Sequence, residues 1–131
     1  MPSKFEDIKI VAMDDEASYK SEPNTQMVHV VLTLSASAPH EWAQYFDGRW
    51  QQQFYMMKRR ASVSGKRLEI YCVPDELQRH HIPELNKVIA ETNAAYRSYV
   101  EKAQRAAAER DAADSRERAE LADLKSKLKF D

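Results

Sequence analysis

At 131 residues the chain is long enough for one domain with an appendage, and 43% hydrophobic and 9% aromatic residues suit folding around a core. A formal net charge of -1 argues against a surface tuned throughout for nucleic acid or anionic membrane. The single cysteine excludes an internal disulfide and a multi-cysteine metal site, and two glycines are too few for a P-loop or a dinucleotide fingerprint.

Met1 to Asp7 carry charge with no apolar run behind it, unlike a secretion signal. Residues 8–13 alternate as a short strand, with Ile8, Ile10 and Ala12 on one face. Asp14, Asp15 and Glu16 then open a polar stretch that runs through Ser18, Ser21, Pro23 and Asn24 to about Thr25 and reads as an exposed loop. Residues 27–35 form the clearest strand. Val28, Val30, Leu32 and Leu34 make an unbroken apolar face, and Met27, His29, Val31, Thr33 and Ser35 a mixed one. This most apolar run of the chain is far too short to span a bilayer. No membrane association and a cytoplasmic location are expected.

Ser37, Ala38 and Pro39 read as a helix start, a hydroxyl able to cap followed by proline in the first turn. Trp42, Tyr45, Phe46 and Trp50 follow as an aromatic stripe along one helical side, and the helix should end near Gln53. Gly48 inside it costs about 1 kcal/mol relative to alanine. Residues 54–60 show no clear pattern, although Arg59, Ala61 and Val63 alternate as a strand. Ser64, Gly65 and Lys66 signal a turn. Beyond it Leu68, Ile70 and Cys72 line an inner face while Arg67, Glu69 and Tyr71 point away, so a β-hairpin is predicted. Val73, Pro74, Asp75 and Glu76 open a second helix, which Pro83 should break near Ile82. Leu85, Val88, Ile89, Thr92, Tyr96, Tyr99 and Val100 then repeat at helical spacing, and residues 101–122 contain neither glycine nor proline to stop the helix.

This order predicts an α+β fold: a four-stranded antiparallel sheet in ββαββα order with both helices on one face. It can be drawn as a circular permutation of the ferredoxin-like arrangement, with residues 8–13 in place of the usual last strand. Residues 1–100 would form the domain and residues 101–131 a charged helical extension. A single helix over residues 84–128 would be about 65 Å long, roughly twice a small domain's diameter. Stepping back in heptads from Leu128, the apolar positions Leu128, Leu124 and Leu121 give way to Glu117, Asp114 and Arg110, so a sustained two-stranded coiled coil is not expected. The extension reads either as a solvated helix held by pairs such as Glu101 with Arg105 or as an amphipathic segment that docks Leu121, Leu124 and Leu128 on a partner.

Chemical motifs are weak. His80 and His81 are adjacent and point apart on a helix, His80 and Glu84 are separated by Pro83, and both histidines read as a polar helix end with no metal. Cys72 lies on an apolar strand face and reads as packing. His29 and His40 have no evident partner, and Asp14, Asp15 and Glu16 lack EF-hand spacing. With no catalytic spacing and no cofactor motif, the leading expectation is a non-enzymatic protein-interaction or regulatory module. It would bind a protein partner, or form a homo-oligomer, through the aromatic helix (Trp42, Tyr45, Trp50) and the C-terminal helix. The alternative is nucleic-acid binding through the basic cluster Lys58, Arg59, Arg60, Lys66 and Arg67, with Tyr55 and Tyr71 placed to stack bases.

Overall fold

The structure, a computed structural model, describes residues 5–130, so the reading of Met1 to Lys4 lies outside the described residues. The elements are β1 (Ile10–Tyr19), β2 (Val28–Leu34), α1 (His40–Gln52), β3 (Arg60–Ser64), β4 (Arg67–Cys72), a single turn α2 (Pro74–Glu76), a π-helical turn (Leu77–His81) and α3 (Ile82–Lys127). The strands form one sheet in the order β1-β2-β4-β3, antiparallel at every junction. β4 lies between β2 and β3, and α1 carries the chain across it. That is the strand order the permuted ferredoxin-like arrangement requires. Phe5–Arg97 forms one compact unit and the residues from Ser98 onward a second.

The alternation seen in β2 and the hairpin decides which sheet face closes. Val30, Leu32 and Leu34 of β2, Val63 of β3 and Leu68, Ile70 and Cys72 of β4 form one cluster with Trp42, Phe46 and Trp50 of α1 and Leu85, Val88 and Ile89 of α3. Both helices therefore pack on the same face. The three α1 rings recur every fourth residue and lie parallel, with successive centroids 5.9 and 6.0 Å apart. Each indole N–H finds an acceptor: Trp42 donates to Asn93 Oδ1 at 2.9 Å and Trp50 to the Arg59 carbonyl at 3.0 Å. That satisfaction is what lets two tryptophans sit inside so small a core.

The segment ahead of β1 is clamped to α3. The Ile8 N–H donates to Asn93 Oδ1 and the Ile8 carbonyl accepts from Asn93 Nδ2, at 3.0 and 2.8 Å. Asp7 pairs with Arg97, and the Phe5 ring meets Tyr96 edge-on at 4.7 Å.

The first strand differs from the sequence reading. It runs to Tyr19, so half of the expected loop is strand. The register shifts twice, between Ile10 and Ala12 and again between Asp14 and Tyr19. In the second bulge side chains replace ladder bonds: Asp14 accepts the Ala17 N–H at 3.1 Å, and Ser18 Oγ donates to the Asp14 carbonyl at 2.7 Å while accepting from the Val31 N–H at 2.9 Å. The first bulge turns Ala12 out to solvent, off the face it was expected to share with Ile8. The start of α1 is also corrected. Pro39 holds the N-cap position, and no side chain caps the helix there. The connection from β2 is fixed by backbone instead, with the Leu34 and Ala38 N–H groups donating to the Lys66 and Gly65 carbonyls at 2.8 Å. Gly65 turns there at φ +59°, a conformation that favours glycine. The break expected at Ile82 is taken up by the π turn: Pro83 has no N–H for the Arg79 carbonyl, and the Ile82 N–H closes the wider ring onto the Leu77 carbonyl.

Candidate functional site

Two groupings of chemistry-bearing side chains emerge in the Phe5–Arg97 unit, one at the edge of the core and one on the face of the sheet away from the helices.

The inner grouping joins the α1–β3 connection to the π turn. Arg59 donates from Nε and Nη2 to the two oxygens of Glu76, at 3.2 and 3.1 Å. Glu76 is 6% exposed, and its Oε1 also accepts the Val73 N–H at 3.1 Å. The Arg59 guanidinium holds its carboxyl below the usual carboxylate range. Next to it, the Tyr55 hydroxyl and His81 Nδ1 share a hydrogen bond of 2.8 Å. With the hydroxyl donating, the ring N–H is on Nε2, which faces Glu76 Oε1 at 3.9 Å. That is too long for a hydrogen bond. Burial therefore outweighs the carboxylate and pushes the His81 imidazole below its ordinary value, toward the neutral form. The Tyr55 phenol is pushed up to about 12 by the same burial.

His81 is fully buried, which corrects its reading as a polar helix end. Tyr55 is likewise withdrawn from any base-stacking role, because its ring packs edge-on against Trp50 and His81, each with centroids 5.8 Å away. Cys72 is buried and its thiol is raised to about 11 by burial, so its role is packing.

The outer grouping follows from the register. Tyr19 pairs with His29, His29 with Tyr71 and Tyr71 with Arg60, which makes one row across all four strands. Its three rings pile face to face. Tyr19 and His29 have centroids 4.6 Å apart at 11°, and His29 and Tyr71 are 4.3 Å apart at 26°. The next row holds Asp14, Val31, Glu69 and Ser62, and the one beyond it Ala12, Thr33, Arg67 and Ser64. A groove of about 610 Å³ runs over β2, β4 and β3, lined by His29, Tyr71, Glu69, Ser62, Arg60 and Lys58 among others.

The basic residues divide into two sets. Arg59 is committed to Glu76. Lys58 Nζ bonds the Trp50 and Gln51 carbonyls, and it lies 5.6 Å from the centroid of the Trp50 ring. Among the described residues Arg60, Lys66 and Arg67 form no ion pair, and all three are exposed. Only part of the predicted basic cluster is therefore free to meet a ligand.

The expected aromatic partner surface on α1 is corrected by burial. Trp42 and Trp50 are 0% and 3% exposed, and no partner reaches them without unfolding the core. Tyr45 is half-buried, with the Arg49 guanidinium 6.0 Å from its ring centroid. Leu121, Leu124 and Leu128 stand exposed at 58%, 52% and 49%, Leu128 being the first residue past the end of α3. Among the described residues no three histidine, cysteine or carboxylate side chains converge as metal ligands would, and no helix is long and apolar enough to cross a membrane.

Comparison with family models, with curated proteins and with solved structures finds no match for this chain.

Proposed function

We propose that the chain is a non-enzymatic module that docks on a protein partner through its C-terminal helix, with Leu121, Leu124 and Leu128 seated in an apolar groove of that partner. One observation carries this reading. From Ser98 onward no described side chain is buried, yet these three leucines return at i, i+3 and i+7 and stand about half exposed. Leu121 and Leu124 have the anchor spacing of a helix laid in a groove, and Leu128, one residue past the end of α3, continues the same face once the helix gains that residue. An isolated helix has only propensity and weak pairs such as Asp123 with Lys127, 2.9 Å apart, to hold it, and most helices owe their stability to packing. The apolar seam covers little more than one heptad, short of the three or four that a two-stranded coiled coil with a second copy requires. Of the titratable groups that do cluster, His81 and Glu76 are buried and Tyr55 is half-buried against Trp50 and His81, which supports a binding rather than a catalytic role.

A photo-crosslinking side chain at Ala122, beside the stripe, tests this in the cells that make the protein. A discrete adduct with a second protein, lost in Leu124→Glu, is expected. No adduct, or one that survives Leu124→Glu, overturns the reading. An adduct of twice the chain's own mass would replace the partner with a second copy.

A further inference from the structure

We propose that the helix-free face of the sheet binds single-stranded nucleic acid, one base stacking on Tyr71 at the open end of the Tyr19–His29–Tyr71 pile.

The pile sets the geometry. Three aromatic rings stand on three adjacent strands, nearly parallel and 4.3 to 4.6 Å apart. The fourth strand, β3, supplies no ring, and its residue in the row is Arg60. The position after Tyr71 is thus one in which a planar group would continue the stack, with a guanidinium beside it. Every base has a π-face, and base–aromatic stacking with a nearby arginine is the recurrent means of holding unpaired bases. The groove of about 610 Å³ lies alongside and is lined by both Tyr71 and Arg60.

Charge orients the strand. The β1 edge carries Asp14, Asp15 and Glu16, whereas the β3 side carries Arg60, with Lys66 and Arg67 at the hairpin. A phosphodiester backbone is therefore drawn to the β3–β4 half and repelled from β1. Glu69 lies between, its Oε2 3.6 Å from His29 Nδ1. It keeps phosphate off the centre of the face and offers an acceptor to the amino edge of a base. A duplex keeps its bases stacked inside, so only an unpaired strand can place one in this row. Arg59 also lines the groove, but its guanidinium is held by Glu76, so Arg60 is the cation left for the strand.

The test is fluorescence anisotropy on the full chain with labelled RNA and DNA oligonucleotides of about 12 nucleotides at about 50 mM salt, each as single strand and as duplex. Saturable binding of single strands over duplex is expected, whichever sugar is preferred. Tyr71→Ala should weaken it about 5- to 100-fold, while Tyr71→Phe retains it. Arg60→Glu should weaken it and flatten the salt dependence. Tyr71 and Arg60 lie outside the core, and circular dichroism melts would verify that the variants fold. Failure to bind single strands, equal affinity for duplex, or binding unchanged by Tyr71→Ala would each overturn the proposal. Because no variant touches Leu121, Leu124 or Leu128, the outcome is independent of the helix-docking reading.

Discussion

Asn93 joins three parts of the fold with a single side chain, and its removal should be costly. Its Oδ1 accepts from the Ile8 N–H and from Trp42 Nε1, and its Nδ2 donates to the Ile8 carbonyl, all within 3.0 Å. Asn93→Ala leaves all three groups without that partner. A buried polar group left unpaired costs about 1–3 kcal/mol. The two Ile8 groups lie between exposed Asp7 and Lys9, where water can enter, and about 1 kcal/mol is assigned to each. The indole belongs to a residue with 0% exposure and cannot recruit water, so it is assigned about 2 kcal/mol. The expected loss is about 4 kcal/mol, a large share of the 5–15 kcal/mol typical of a domain. Urea unfolding followed by circular dichroism measures it. In Trp42→Phe the indole donor is already gone, so the double variant should be about 2 kcal/mol more stable than the sum of the singles implies. An Asn93→Ala penalty below about 1 kcal/mol, or additivity in the cycle, would refute this account of how the N-terminal segment and α1 are held to α3.

Two further substitutions bear on other parts of the domain. His81 has a folded-state pKa below 6.5 because it is buried. The unfolded chain therefore binds that proton more tightly, and this contribution to stability is complete above pH 6.5 and declines as the pH falls below it. His81→Gln, which keeps an acceptor for Tyr55, should abolish that first decline in denaturation midpoints measured against pH. It should leave the later loss, which sets in below pH 4.5 as Glu76 of the unfolded chain takes up a proton and ends where the depressed carboxyl of the folded state does so too. Gly48 sits in α1 with nothing within 4 Å of the position a Cβ would occupy, so Gly48→Ala should raise stability by about 0.5–1 kcal/mol in the same urea assay.

Much of the architecture was legible because the apolar alternation in β2 and the hairpin admits one register that buries a face. A one-residue slip there would expose Val30, Leu32, Leu68 and Ile70. The extension of β1 was not legible, since Asp14, Ala17 and Ser18 hold their place by side-chain hydrogen bonds that leave no apolar pattern. The aromatic stripe on α1 was visible, but its depth was not. That depth depends on Asn93 and the Arg59 carbonyl as acceptors, 51 and 9 residues away from the two indoles. His81 looked like a polar terminus because the π turn, which follows from Pro83, changes the face its position occupies. The outer row was half visible. His29 and Tyr71 were assigned to the outward face, but Tyr19 lay in the supposed loop, so the pile of three could not be assembled. The spacing of Leu121, Leu124 and Leu128 was readable, but their exposure was not, because the same apolar stripe serves a docked helix as well as a solvated one.

Hydrogen exchange along α3 tests most directly whether the segment from Ser98 onward is surface kept for another molecule. Amides from Leu85 to Tyr96 should open only with the whole domain, whereas those from Ala103 to Leu124 should exchange fast in the isolated chain and slow down once a partner is bound. Slow exchange over Ala103 to Leu124 in the dilute, isolated chain would mean that this surface is already packed, and would contradict the account.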